Sequence, residues 1–178
     1  MGRPWGMRLL VALAVLGLTV SAASADESSA NLHATLSGFN EVPPNLTDGT
    51  GSFSATVQGS SLTYTLTYSG LSAPVTQAHI HFAQPGVNGG IVIWLCQTAT
   101  SPAPASIPAP PTCPQAGTVS RTVTAADVGS QAAIQGVAAG NFAGVLRLIQ
   151  NGEGYANVHT TAHPGGEIRG QIRVGEGD

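Results

Sequence analysis

The chain has 178 residues with a formal net charge of −3, and only 8% of its residues are charged. All six of its cationic side chains are arginine, so it has few groups that could neutralise phosphates. This composition excludes nucleic acid and anionic membrane surfaces as expected partners.

The N-terminus has the pattern of a secretory signal peptide. Arg3 and Arg8 precede an apolar run over residues 9–20, and Ala23-Ser24-Ala25 is a small-residue cleavage site. The run of about a dozen residues is shorter than a membrane-spanning helix, although an uncleaved anchor is the alternative. We therefore expect a secreted or periplasmic mature chain without a membrane span.

The rest of the chain has the size of one domain. The predicted organisation is a signal peptide over 1–25, a flexible lead-in over 26–30, a domain over 31–174 with a Pro/Ala-rich insertion over 97–112, and a tail over 175–178.

Short segments of alternating apolar and polar residues predict about eight strands. The clearest is residues 62–68, where leucines and tyrosines alternate with threonines directly after a Gly59-Ser60 turn, which indicates a hairpin with the strand before it. The predicted strands lie over 32–36, 53–57, 62–68, 75–82, 91–96, 118–124, 155–160 and 167–174. Their spacing predicts an all-β antiparallel Greek-key sandwich or barrel.

One short helix is predicted near 141–150. Asn141 is its expected cap, and Asn151-Gly152 ends it. The apolar residues at helical spacing are Phe142, Val145, Leu146 and Ile149. A single helical turn capped by Thr124 is predicted over 125–129.

Cys96 and Cys113 are the only cysteines, and they flank the Pro/Ala-rich insertion. In an exported chain two cysteines usually pair, so we expect a disulfide that closes this loop. Two thiolate metal ligands are the alternative, but neither a C-x-x-C spacing nor a nearby histidine accompanies them.

The histidines are the candidate metal ligands. His79 and His81 are two apart on a predicted strand and so point to the same face, while His159 and His163 form a second cluster at the end of another strand. If the two segments converge, three or four imidazoles could hold one copper or zinc ion. Alternatively, each is an ordinary hydrogen-bonded or partly exposed histidine. His33 is not expected to take part.

Other polar residues near these histidines have two interpretations. Glu167 and Arg169 alternate along the last strand, either as an exposed face with a cross-strand ion pair or as buried groups that orient a ligand by hydrogen bonds. Asn157 has the same candidate role, structural or orienting. No nucleophile elbow and no carboxylate pair stands out, so no catalytic residue is assigned.

Four motifs in this order resemble the chordin-type (CHRD) domain. They are Leu36-Ser-Gly-Phe-Asn-Glu-Val-Pro-Pro44, Ala78-His-Ile-His81, Tyr155-Ala-Asn-Val-His-Thr160 and Pro164-Gly-Gly-Glu-Ile-Arg-Gly-Gln171. Such domains repeat in chordin, a secreted growth-factor antagonist, and occur in bacteria as single exported domains. This chain resembles the single-domain form and lacks chordin's cysteine-rich modules, so growth-factor antagonism is not expected.

The family is similar in outline to the Greek-key barrel of copper/zinc superoxide dismutase, which also has an H-x-H on a strand. The resemblance implies a barrel and, by analogy only, copper. Too few histidines remain here for a second metal site, so dismutase activity is not expected.

Three functions follow from these observations. The first is an exported module that binds a protein or small ligand of the cell envelope or extracellular space and holds one copper or zinc ion. The second is a structural or interaction module of the envelope without a metal. The third is a metal-dependent redox enzyme.

Overall fold

The computed structural model describes residues 1–2 and 29–175. Nearly all of the predicted signal peptide, most of the lead-in and most of the tail lie outside the described residues, so those assignments stay predictions. In the part of the chain that is described, no helix combines the length and the apolar character needed to cross a bilayer.

Nine strands form one antiparallel sheet, which confirms the predicted all-β class. The strands are β1 (Ala30–Ser37), β2 (Thr50–Gln58), β3 (Ser61–Ser69), β4 (Val75–Phe82), β5 (Gly90–Cys96), β6 (Gly117–Val123), β7 (Gly154–Thr160), β8 (Ile168–Gln171) and β9 (Arg173–Val174).

The sheet curls into a nearly closed barrel. Its strand order is β5-β4-β7-β8-β1-β2-β3-β6, with β9 paired to β1. The two end strands are linked through a bridge between Ile93 of β5 and Val128, which follows β6. Two of the neighbouring pairs, β3–β6 and β4–β7, join strands that are far apart in the sequence. The second of these pairs places the two histidine-bearing strands side by side.

The period-two pattern determines which side chains enter the barrel. On β3, Leu62, Tyr64, Leu66 and Tyr68 are buried in the core. The threonines between them face outward and bond across to β6, as in the contact between the hydroxyls of Thr63 and Thr122 at 2.8 Å. The hairpin predicted from this segment is confirmed by the continuous β2–β3 pairing.

The predicted last strand is divided in two. β8 pairs with β7, but at Ile172 the backbone N–H donates to Gly154 O, and β9 then pairs with β1 alone. Ile172 lies between β8 and β9 and is fully buried, so the side chain at the break belongs to the core.

The predicted helix is present as α1 (Phe142–Gln150). Asn141 caps it, because its side-chain oxygen accepts from Gly144 N at 3.0 Å. The face toward the barrel includes Leu148, whereas Leu146 is only half-buried. The predicted turn near 125–129 is a 3-10 helix over Ala125–Asp127, with Thr124 and Asp127 in a reciprocal capping box.

Cys96 and Cys113 form the predicted disulfide. They close the base of the Pro/Ala-rich insertion, which contains no regular strand or helix. Gln97 and Thr112 also pair there as an isolated bridge, and Cys113 N donates to Gln97 O at 2.8 Å. The insertion is therefore held at both ends, directly after β5.

Candidate metal centre

The histidines of β4 lie on the outer face of the barrel. Ala78 and Ile80 are in the hydrophobic core, so the alternate residues His79 and His81 point away from it. The same alternation on β7 puts Ala156 and Val158 inward, and Asn157 and His159 outward. These outward side chains are nevertheless buried, because the loops that carry Glu41 and Gly89 cover them.

Register brings a row of large polar and aromatic side chains together across four strands. His79 of β4 pairs with Trp94 of β5 on one side and with Asn157 of β7 on the other, and Asn157 pairs with Arg169 of β8. The Trp94 ring packs against His79 at a centroid distance of 4.2 Å and a near-perpendicular angle. The row fixes His79 from both sides.

Three imidazoles converge on this face. One potential ligand atom from each of His79, His81 and His159 lies within 4.8 Å of the other two. The shortest contact joins Nδ1 of His79 and Nε2 of His159, 3.1 Å apart. The convergence predicted from the H-I-H and N-V-H-T segments is thus found for three histidines.

Hydrogen bonds to backbone carbonyls orient two of the rings. Nδ1 of His81 donates to Gly89 O at 2.9 Å, and Nδ1 of His159 donates to Pro164 O at 2.9 Å. A carbonyl only accepts, so both protons are on Nδ1 and each Nε2 carries a lone pair. The lone pair of His159 faces Nδ1 of His79, whereas that of His81 has no partner among the described residues. Nε2 of His81 and Nε2 of His79 are buried without a hydrogen-bond partner among the described residues.

Burial keeps the three imidazoles neutral. It lowers the pKa of His79 well below 6.5, with the neighbouring His159 and His81 acting in the same direction. Burial also lowers the pKa of His81 to about 4 and reduces that of His159. Neutral imidazole is the form that coordinates a metal ion, so protons compete weakly for these nitrogens at pH 7.

Asn157 links the cluster to Glu41, a residue that the sequence patterns did not single out. The Asn157 amide donates to Glu41 Oε1 at 2.6 Å, and its own Oδ1 is buried without a hydrogen-bond partner in the described part of the chain. Burial raises the pKa of Glu41 to about 7, although the charge of Arg169 opposes this. The one sequence feature that could have identified Glu41 is its place in the Glu41-Val-Pro-Pro44 motif, which forms one of the covering loops.

Arg169 supports the cluster through Tyr155. Its guanidinium carbon lies 4.4 Å from the centroid of the Tyr155 ring, which stacks on the ring of His81 at 4.8 Å and an angle of 5°. Nε of Arg169 donates to Asn40 O at 2.7 Å, so the same side chain also fixes the covering loop. Tyr155 and Trp94 do not stand out in the sequence, where they resemble ordinary strand aromatics.

Glu167 is buried, but it belongs to another network. Its carboxylate accepts from the hydroxyls of Thr47 and Thr160 and from Ser72 N, at 2.6, 2.7 and 2.7 Å. Burial raises its pKa, but these bonds outweigh that effect and hold the pKa below its ordinary value. The exposed face with a cross-strand ion pair that was weighed from the sequence is not found, since Glu167 and Arg169 are both buried and the ion pair found within residues 29–175 joins Arg121 and Asp127.

The two remaining histidines stand apart from the group. His163 is half-buried in the turn after β7, where its backbone N–H donates to the Thr160 hydroxyl at 3.2 Å, and it is not one of the three converging residues. The next residue, Pro164, accepts from Nδ1 of His159 through its carbonyl. His33 is exposed on β1, as expected.

These features define the class of the protein: an antiparallel β-barrel with a buried cluster of three neutral imidazoles on the outside of its sheet, under two loops. The CHRD domain model matches residues 32–172, and the chain belongs to the CHRD domain family. Neither the curated proteins nor the solved structures contain a match to it.

Proposed function

We propose that this domain is an exported binding module that holds one copper or zinc ion through His79, His81 and His159. The observation that carries the proposal is the convergence of three buried nitrogens, one from each ring. Carbonyls fix the protons of His81 and His159 on Nδ1, which leaves a lone pair on each Nε2, and that of His159 faces Nδ1 of His79.

The spacing of the nitrogens supports a common ion. A tetrahedral ion with bonds of about 2.05 Å places its ligands about 3.3 Å apart. The His79–His159 pair is already at 3.1 Å, while the widest pair in the group, within 4.8 Å, must contract by up to about 1.5 Å. We expect rotation of the imidazole rings to supply this contraction.

The donor set selects the kind of metal. Three imidazoles with neither carboxylate nor thiolate suit copper and zinc rather than calcium or magnesium, which prefer oxygen ligands. Because the ligands are neutral, the nearest compensating charge is Glu41, reached through Asn157. His163 stands outside the group, so we assign the fourth position of a zinc ion to water or to a ligand from a partner.

Export is the second part of the proposal. The disulfide between Cys96 and Cys113 supports it, since disulfides persist in oxidising compartments outside the cytoplasm. N-terminal sequencing of protein recovered from the culture medium or periplasm tests it, and we expect the mature chain to begin at Asp26. An unprocessed N-terminus on the cytoplasmic protein contradicts this part alone.

Metal uptake is tested on the purified mature domain by calorimetric titration and by metal analysis after gel filtration. We expect one ion per chain, and none in the His79→Ala, His81→Ala double variant. His33→Ala is the matched control, because it removes an exposed strand histidine and should leave uptake unchanged. Circular dichroism verifies that the double variant is folded; if it takes up metal as the parent does, the proposal fails.

The metal-free structural module is the second candidate, and one observation favours it. His79 and His159 already satisfy each other through one hydrogen bond, and the covering loops are tied to the barrel without an ion. If this candidate is correct, EDTA changes neither the melting temperature nor the binding of envelope partners, and the titration above gives no saturable uptake.

A further inference from the structure

A cavity of about 620 Å³ lies beside the histidine cluster and takes no part in the proposed metal site. Its walls are the loop over 39–44 on one side and the outer face of β8 and β9 on the other. The motifs Glu41-Val-Pro-Pro44 and Arg169-Gly-Gln171 both contribute to it, and Glu41 and Arg169 also border the histidine cluster. The volume is that of a site for a small organic ligand.

The charge of the cavity is positive, in a chain of net charge −3. Arg169 and Arg173 both line it, and Glu41 is the only acidic residue that does so within the described chain. Burial raises the pKa of Glu41 to about 7, which weakens its negative charge at neutral pH. A concave site with this balance attracts anions.

Arg169 is fixed in place with donors to spare. Its Nε donates to Asn40 O, and its Nη1 donates to Val87 O and to Asn88 Oδ1. Nη2 has no carbonyl or carboxylate partner among residues 29–175, and the guanidinium otherwise interacts with the Tyr155 hydroxyl. An arginine that is 3% exposed and held by three hydrogen bonds is a pre-ordered anchor for an anion.

The rest of the wall is apolar. Val42, Pro44 and Pro85 line the cavity together with Phe39, whose side chain is 70% exposed. A large aromatic ring left in water at the rim of a cavity offers a flat surface for a planar apolar group.

We infer that this cavity binds a small organic carboxylate with a flat apolar body. The carboxylate pairs with Nη2 of Arg169, Arg173 adds positive charge at the mouth, and the body lies against Phe39 and the prolines. None of the three converging histidines lines the cavity, so we expect the ligand to bind whether or not they hold an ion.

The test is a titration of the purified mature domain with benzoate, followed by NMR chemical-shift changes. Benzamide has the same shape without the charge, and inorganic phosphate has charge without an apolar body. We expect saturable benzoate binding with a Kd of about 1 mM, the range for a ligand of this size. Benzamide should bind about tenfold more weakly, since a charge-assisted bond is lost, and phosphate should also bind more weakly than benzoate.

Variants of exposed residues locate the site without unfolding the barrel. Phe39→Ala should weaken benzoate binding about fivefold through the loss of ring contact, and Arg173→Gln about threefold through the loss of charge. Arg147→Gln, an exposed arginine of α1 that does not line the cavity, is the matched control and should have no effect.

Three results overturn the inference: no saturable binding of benzoate, equal binding of benzoate and benzamide, or phosphate binding as tight as that of benzoate. Adding zinc to the parent separates this inference from the metal proposal. Benzoate should bind with the same Kd before and after zinc is added; competition between zinc and benzoate would place the carboxylate at the metal centre and overturn the inference.

Discussion

Nδ1 of His79 lies 3.1 Å from Nε2 of His159, although the two residues are 80 positions apart in the chain. The contact exists because β4 and β7 are neighbours in the sheet and both residues point to its outer face. Two nitrogens at this distance either share a proton or share a metal ion. The proposed metal centre requires that a metal ion replace the proton between these two nitrogens.

Metal binding should stabilise the fold. An ion present at 100 times its Kd adds about 2.7 kcal/mol to the free energy of unfolding, which in a domain of this size raises Tm by about 5–10 °C. Calorimetric scans with and without zinc or copper measure this shift. The His79→Ala, His81→Ala variant should show none, and a rise of the same size in that variant would mean that the ion binds elsewhere.

Acid should destabilise the metal-free domain through His81. Its folded pKa of about 4 is below the ordinary 6.5, so its contribution to stability is complete above pH 6.5 and is lost as the pH falls toward 4. The loss is up to about 3 kcal/mol for this group. Urea unfolding in EDTA at pH 7 and pH 4.5 should give a smaller loss for His81→Gln than for the parent.

The control for this comparison is His33→Gln, which changes an exposed histidine on β1. It should follow the parent at both pH values. Equal losses for His81→Gln and the parent would show that His81 is not buried as a neutral ring in solution.

Glu41 should act in the opposite direction. Its pKa is raised from 4.5 to about 7, so its contribution is complete below pH 4.5 and is lost as the pH rises through 7. Glu41→Gln keeps an oxygen to accept from the Asn157 amide and has no proton to lose. We expect the variant to exceed the parent in stability at pH 8 by about 2 kcal/mol, with no gain at pH 5. Glu153→Gln, at a half-exposed position, is the control.

Glu167 should prove structural rather than part of the metal centre. Glu167→Ala leaves the hydroxyls of Thr47 and Thr160 and the N–H of Ser72 without their acceptor, which should cost about 3 kcal/mol of unfolding free energy. Metal stoichiometry should be unchanged at a temperature where the variant is folded. Loss of metal from folded Glu167→Ala protein would assign it to the centre instead.

Two adjacent glycines provide a matched pair for the turn that holds His159. A Cβ on Gly166, where φ is +127°, would lie 2.3 Å from Asn157 Nδ2 and 2.5 Å from Glu41 Oε1, whereas a Cβ on Gly165 meets nothing within 4 Å. Gly166→Ala should therefore lower the free energy of unfolding by about 2 kcal/mol and weaken metal binding, while Gly165→Ala should change neither appreciably. Equal effects of the two substitutions would contradict this packing.

Local patterns determined much of the fold. Period-two alternation identified the strands, as in residues 62–68, because one face of each strand must be apolar. The same rule placed His79 and His81 on one face of their strand, since residues two apart point the same way. Two cysteines around a Pro/Ala-rich segment predicted the disulfide, and the cap at Asn141 predicted where α1 begins.

The division of the last strand and the two roles of its polar residues could not be predicted in this way. Glu167 and Arg169 alternate like an exposed polar face, yet both are buried because loops from distant parts of the chain cover that face. The folded positions of those loops determine which face is covered. Alternation along a single strand carries no information about these positions.

The sequence by itself determined the compartment expected for the chain, its β-rich class and the four histidines worth testing, since these follow from composition and from side-chain direction along single strands. Only the tertiary structure decided that His159 joins His79 and His81 while His163 does not, and that Glu41 and Arg169 border both the cluster and a cavity. The physical reason is that strand pairing and loop closure bring together residues more than a hundred positions apart, such as Glu41 and Asn157.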